Sequence, residues 1–293
     1  MEKDYILKLK NVYQKYEDKD FILNNININV SLGEFVTIIG TTGAGKSTLL
    51  RIILGAENPY KGQIIMEGVE IKRPNRNIGI VFQKYSLFEN RTVMENVALG
   101  LYLEHFNLLQ SFINYFYKSK RNTEFTKKAE EYLVKVGLIE HANKYPYQLS
   151  GGMKQRVAIA QTMIMEPKIL LMDEPFGSLD IGTREEMQIF LLEQWKKNKQ
   201  TVIFVTHDLE EALFLGTRIM VLSPFYIGND NEGSKIVKDI PIDWPHPRST
   251  KVKHTKEFNV LMESVRHEGL DPQFKQNIKE FDLSHIDSIK NLV

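Results

Sequence analysis

The sequence predicts an α/β fold: a mostly parallel sheet, an antiparallel β region ahead of it, and a helical block inserted into it. Three observations predict this. Short, almost wholly apolar runs ("EFVTIIG", "KILLMDEP", "QTVIFVTH", "TRIMVLS") suit strands buried on both faces, as parallel strands are when helices cover them. Helical patterns alternate with these runs. A long helical texture, about residues 84–166, interrupts the alternation.

Taken in order, "YILKLKNVY" and "FILNNININV" alternate apolar and polar residues on either side of the charged turn "EDKD", as paired half-buried strands do. "EFVTIIG" follows, and after a glycine-rich segment "STLLRIILG" places Leu49, Leu50, Ile52, Ile53 and Leu54 at helical density before stopping at Gly55. "GQIIMEG" and "NIGIVFQ" are two further strands. The helical block then carries an aromatic stretch with Tyr102, Phe106, Phe112, Tyr115, Phe116 and Tyr117, followed by the amphipathic "EFTKKAEEYLVKVGL" closed by Gly137. "TREEMQIFLLEQWKKN" is the helix between the next two strands. Beyond Pro224, "FYIGNDNEGSK" reads as a polar turn, and the three prolines of "DIPIDWPHPRST" are expected to forbid regular structure through it. A helix is expected from Thr255 to His267, where Phe258, Leu261, Met262 and Val265 share one face. "FDLSHIDSIKNLV" is weakly amphipathic. The expected division is 1–225 for the main domain, with its helical part at about 84–166, and 226–293 for a partly helical extension.

Composition excludes several classes of function. A formal net charge of +1 over 293 residues gives no reason to expect nucleic acid as the partner. With no Cys there are no disulfides, thiolate catalysis or Cys-ligated metals, which fits a reducing compartment. The charged start "MEKDYILKLK" does not read as a secretory signal, and no apolar run reaches bilayer-spanning length, so any membrane connection is expected to run through a protein partner.

"GTTGAGKST" fits the phosphate-loop pattern, with a β run before it and a helix after it. Gly40, Gly43 and Gly45 let the backbone of Gly40, Thr41, Thr42, Gly43, Ala44, Gly45, Lys46, Ser47 and Thr48 wrap phosphate oxygens at a helix N-terminus. Lys46 is expected to reach the β- and γ-phosphates, and the Ser47 hydroxyl to sit on Mg²⁺. In "ILLMDEP", Asp173 ends a buried strand, where a carboxylate is costly without a partner, and Mg²⁺ is that partner. Glu174 is aimed differently and is placed to orient or deprotonate an attacking water. Gln83, at the end of "GIVFQ", bridges Mg²⁺ or that water to the helical block. His207, closing "TVIFVTH", can hydrogen-bond a γ-phosphate oxygen. Tyr16, with Tyr13 as a competitor, offers an aromatic face for an adenine.

"GTTGAGKST", Gln83, "LSGGMKQR", "ILLMDEP", "SLD" and "FVTH", in that order, resemble the ATP-binding subunit of ATP-binding-cassette transporters over roughly residues 5–250. The resemblance implies a P-loop nucleotide hydrolase core and an ATPase that uses ATP and Mg²⁺. Leu149–Gly152 matches the family's signature segment, which binds ATP held by another copy of the domain. Physically, Ser150 can cap the helix from Gly152 to about Met165, and its hydroxyl with the N–H groups of Gly151 and Gly152 makes an anion site. Asp180, in "SLD", is similar to the family's dimer-contact aspartate. The helical block resembles the part that carries force to a transmembrane subunit.

Met153 and the tail "VLSP…GSKIVKDIPIDWPHPR" resemble importers of nitrate, sulfonate, taurine, bicarbonate or pyrimidine precursors. Such systems imply a second ATPase subunit, integral-membrane permease subunits, indirectly an extracytoplasmic solute-binding protein, and a place on the cytoplasmic face of the plasma membrane. Two departures stand out: Thr217 where many relatives have Asp, and a longer, more aromatic segment between Leu99 and Thr126. That segment reads either as core filling of an enlarged helical lobe or as a docking surface for the permease. The alternative function is a soluble cassette ATPase acting on a macromolecular complex; such proteins usually fuse two cassettes or insert a coiled coil, and this chain has a single motif set.

Overall fold

The computed structural model describes residues 5–16, 20–105, 121–226 and 233–275. Two sheets organise them. The first is antiparallel, in the order β2-β1-β4-β5, with β1 (Tyr5–Gln14), β2 (Leu23–Ser31), β4 (Lys61–Met66) and the short β5 (Val69–Glu70). The second joins β3 (Phe35–Ile39), β6 (Ile78–Val81), β7 (Ile169–Asp173), β8 (Thr201–Thr206), β9 (Arg218–Ser223) and β10 (Lys235–Pro241) in the order β10-β9-β3-β8-β7-β6. All neighbours in it are parallel except β10, which runs antiparallel along β9. Every residue of β3, β7, β8 and β9 is buried, which is why these strands read as unbroken apolar runs rather than alternations.

The helices are α1 (Lys46–Leu54), α2 (Val93–His105), α3 (Arg121–Lys135), α4 (Gly151–Met163), α5 (Ile181–Asn198), α6 (Leu209–Leu215) and α7 (Lys256–Val265). Helix α1 is sandwiched between the sheets: Leu49, Leu50, Ile52 and Ile53 share a core with Ile26 and Ile64 on one side and Ile38 and Leu171 on the other. On the opposite face of the parallel sheet, Val97, Leu133 and Ile159 of the helical block pack with Leu170, Phe204 and Leu191. Side-chain caps set the starts of α5, α6 and α7. Asp180 accepts from Thr183 N, Asp208 from Glu211 N and Thr255 from Phe258 N, each contribution worth about 1 kcal/mol.

The tail departs from expectation at one point. Strand β10 runs through Asp239 and Ile240 into the first of the three prolines, pairing Pro241 with Arg218. Because β10 is the sheet edge and Pro241 its last residue, the missing N–H removes no ladder bond that the sheet needs. From Ile242 to Ser249 the chain is irregular, as the remaining prolines require. The helix expected over 255–267 is Lys256–Val265, with Thr255 as its cap and a single wider turn after it.

The tail also shares a core with the main domain. Val237, Phe258 and Val265 pack with Ile39, Ala212 and Val221. Buried Arg248 donates from Nη1 to the carbonyls of Leu213, Phe214 and Gly216 at 2.7, 2.9 and 2.7 Å, satisfying the C-terminal end of α6. His246 Nε2 donates to Leu215 O at 3.1 Å, and its ring meets Trp195 edge-on. Thr217, the residue unlike many relatives, accepts from Phe35 N at 3.1 Å and donates to Phe35 O at 3.0 Å, stitching β3 to the start of β9. Of the aromatic stretch, Tyr102 packs edge-on against Phe125 with centroids 5.4 Å apart. Phe106, Phe112, Tyr115, Phe116 and Tyr117 lie outside the described residues, as do "FDLSHIDSIKNLV" and most of "FYIGNDNEGSK".

Candidate active site

Parallel strands end on one edge of their sheet, and that edge collects the residues expected to carry chemistry. Gly40 follows β3, Gln83 stands two residues beyond β6, Asp173 closes β7, and His207 follows β8. The register makes this concrete: Ile39 lies opposite Thr206, Asp173 opposite Val205 and Val81 opposite Met172.

The phosphate loop leaves β3 and enters α1 through Gly45, whose φ of 91° a side chain would resist. No side chain caps α1, so its first-turn N–H groups point out at the N-terminal, positive end of the helix. Gly43 (φ 85°) faces open space, so a ligand can approach the backbone there. Lys46 folds back over the loop and donates to Gly40 O at 2.8 Å and Thr41 O at 3.1 Å. Burial pushes its ammonium pKa down, while the charges of Glu174 and Asp173 act the other way. A buried cation ringed by carbonyls and helix N–H groups is a site awaiting an anion.

Burial pushes the Asp173 carboxyl up, and Glu174 adds to this; a hydrogen bond from Ser47 and the charges of Lys46 and Arg51 oppose it. Glu174 adopts φ 46°, uncommon for a residue with a side chain, with its N–H bonded to Val205 O at 2.9 Å. Its carboxylate meets side chains that follow the two strands neighbouring β7. Oε2 accepts from Gln83 Nε2 at 3.1 Å, and His207 Nδ1 lies 3.1 Å from the same oxygen. Glu174 is largely covered whereas His207 is 64% exposed, so the imidazole's far edge stays open to a ligand. The cap of α6 is Asp208, which frees His207 for that role.

Among the described residues no cluster of three His, Cys, Asp or Glu side chains could by itself hold a metal. The donors here are instead Ser47 hydrogen-bonded to buried Asp173, and Gln83 held on the adjacent Glu174, all hard oxygen ligands of the kind Mg²⁺ takes when substrate phosphates complete its shell. The set fits Mg²⁺. Tyr16 is 38% exposed, and its hydroxyl accepts from Arg51 Nη2 at 3.1 Å, fixing it beside α1. Tyr13 is engaged elsewhere, against Phe21 and under Lys61. Of the two, Tyr16 is the ring left free to stack.

The opening of α4 stands apart from this cluster. Ser150 caps it, accepting from Met153 N at 3.3 Å, and the helix begins at Gly151 rather than Gly152 and ends at Met163 rather than Met165. It packs on α2 and α3. Asp180 is fully exposed at the start of α5, its carboxyl held below the usual range by the Thr183 N–H. Residues that pattern reading did not single out also belong here. Arg51 anchors Tyr16, and the positions that side chains on Gly151 and Gly152 would occupy are met by Tyr85 and Leu179. No spacing rule marks Tyr85; only the folded chain brings it to Gly151.

Comparison with known proteins finds related sequences and a related fold. The family model described as ABC transporter fits residues 23–177. The nitrate import ATP-binding protein of Synechocystis sp. is 41% identical over 80% of this chain and 83% of its own length. An aliphatic sulfonates import ATP-binding protein of Bacillus cereus is 39% identical over 83% and 86%. Among solved structures, a dimeric ATP-binding cassette in a post-hydrolysis state bound to ADP and Pi superposes with a TM-score of 0.68 at 31% identity, covering 82% of this chain and all of its own.

Proposed function

The chain belongs to the ABC transporter family as an importer-type ATPase, and from that premise we propose that two copies of it, head to tail, drive uptake of a small solute. Residues 1–225 form the cassette, with 84–166 as its helical unit, and 226–293 the extension. In each copy Lys46 and the first-turn N–H groups of α1 bind the β- and γ-phosphates, and Tyr16 stacks on the adenine. Ser47, Asp173 and Gln83 would hold Mg²⁺, which when bound would supply charge neutralisation on the phosphate oxygens. Glu174 orients the water and takes its proton. His207, fixed through Nδ1, presents its other edge to the γ-phosphate. Ser150, Gly151 and Gly152 of the second copy close over that phosphate, so charge that develops during in-line attack meets helix N–H groups from both sides. Asp180 lies at the same seam.

The observation that carries this reading is the convergence of Gln83 and His207 on one oxygen of Glu174, at the strand edge that also holds the phosphate loop. The dimeric cassette with ADP and Pi supports the two-copy arrangement by similarity. A cleft of about 310 Å³ lies where the segment after Gln83 meets the helical block, lined by Phe82, Phe88, Leu99, Leu103 and Thr162. We assign it to the permease, through which the protein sits at the cytoplasmic face of the membrane; no helix among the described residues is long and apolar enough to cross one. The relatives' names favour a nitrate- or sulfonate-like solute; taurine, bicarbonate and pyrimidine precursors are the other candidates that the sequence resemblance raises. An extracytoplasmic solute-binding protein completes the system.

The test is E174Q with MgATP in light scattering. A stable dimer that forms only with ATP is expected; a chain that stays monomeric overturns the two-copy mechanism. Uptake of labelled nitrate and sulfonates by the protein reconstituted with its permease identifies the solute.

A further inference from the structure

We propose that Tyr85 is a positioning residue that ties together the two half-sites of a single chain: its own ATP site, through Gln83, and the segment Ser150–Gly152 that closes over the ATP of a second copy. The inference rests on the two-copy reading above. Its starting point is a steric one. A Cβ built on Gly151 would lie 2.9 Å from the Tyr85 hydroxyl oxygen and 3.9 Å from its Cζ, and among the described residues, beyond the helix backbone and chain neighbours, no other heavy atom comes within 4 Å. Glycine is a poor helix former compared with alanine, so the local preference of α4 does not ask for it. Among the described residues, the group that a side chain at 151 would displace is the Tyr85 hydroxyl.

Tyr85 stands two residues beyond Gln83, whose amide holds Glu174 at 3.1 Å. Gln83 therefore faces the chain's own catalytic carboxylate while Tyr85, on the same short segment, bears on the start of α4. A second tie runs alongside it: Lys154 of α4 pairs with Glu89 at 3.7 Å. The neighbouring glycine has a matching cover, since a Cβ on Gly152 would lie 3.1 Å from Cδ2 of Leu179, in the loop that leads from Glu174 to Asp180. At both glycines of the segment, the space a side chain would take is therefore already held by loops that lead back to the chain's own Glu174. A close-packed contact transmits displacement because it has no slack. When nucleotide shifts Gln83, Tyr85 shifts the N–H groups of Gly151, and the occupancy of one ATP site is felt at the other.

The experiment uses the full-length chain with MgATP and the variants Y85F, G151A and Y85F/G151A. Steady-state ATPase of the wild type is expected to show a Hill coefficient approaching about 2, the number of sites. Y85F should bring it toward 1 and lower kcat, with single-chain ATP affinity unchanged in equilibrium binding. In nucleotide-free melting, G151A should lower Tm, and Y85F/G151A should recover most of that loss, because Cζ at 3.9 Å leaves room for a methyl group. A wild-type Hill coefficient in Y85F, or equal melting of G151A and the double variant, overturns the proposal. The E174Q control separates the two levels: no ATP-driven dimer sinks the two-copy reading itself, whereas a normal E174Q dimer with either of those results sinks only the role of Tyr85.

Discussion

The phosphate loop and the segment Ser150–Gly152 each start a helix at a glycine-containing turn, yet their surroundings differ. Around α1 the same chain supplies a buried Lys46, two carboxylates, a hydroxyl on Asp173, and a histidine and an amide on Glu174. Around the start of α4 it supplies a cap, Tyr85 and Leu179, with no carboxylate, lysine or histidine among the contacts that press on the two glycines. The first arrangement can bind a nucleotide unaided; the second has N–H groups and no chemistry. If two copies act together as proposed, the difference makes binding and hydrolysis separable, one belonging to a chain and the other to a pair.

The largest expected effects lie on the phosphate-loop side. K46A should weaken MgATP binding at least about 100-fold, since it removes a charged hydrogen-bond donor from a buried anion site; unchanged affinity in equilibrium dialysis would remove the loop from the mechanism. E174Q should keep that affinity and lower turnover by roughly 10²- to 10⁴-fold, the range of a lost general base. Next comes the other side of the comparison. S150F should leave single-chain ATP affinity intact and cut hydrolysis by on the order of 10-fold or more, as expected for lost oxyanion-type stabilisation. Equal loss of binding and turnover would show that the two regions are not separate functions. Y16A should cost about 10-fold in ATP affinity through lost base stacking, with little effect on affinity for inorganic triphosphate.

The smallest effect concerns how the extension supports α6, the helix that follows His207. Burial, with the charge of Arg248, lowers His246 from the ordinary 6.5 to about 4. The unfolded chain binds this proton below pH 6.5 and the folded chain not until about 4. Stability is therefore full above 6.5 and falls as pH drops toward 4, by on the order of 1–2 kcal/mol once solvent screening of a half-buried ring is discounted. H246Q should flatten the change in Tm between pH 7 and pH 4.5; an unaltered slope would locate the pH dependence elsewhere.

Much of this was legible in the chain. "GTTGAGKST" between a strand run and a helix, and "ILLMDEP" and "TVIFVTH" ending in polar residues, mark strand ends, and parallel strands must bring such ends to one edge. Strand β10 was not legible, because Pro241 argues against a strand until it is known to lie last on an edge. The clamp of Arg248 on the last carbonyls of α6 leaves no periodic trace at all.

What the sequence determined by itself is the inventory: most of the strands, about where helices begin, and which side chains carry charge or a hydroxyl, since these follow from local preference and spacing. Tertiary structure alone decided the pairings. Gln83 and His207 meet on one oxygen of Glu174 across 91 and 33 residues of chain, and Tyr85 meets Gly151 across the helical block. Such contacts depend on strand order and helix packing, which are set by burial summed over the whole molecule rather than by any residue's neighbours in sequence.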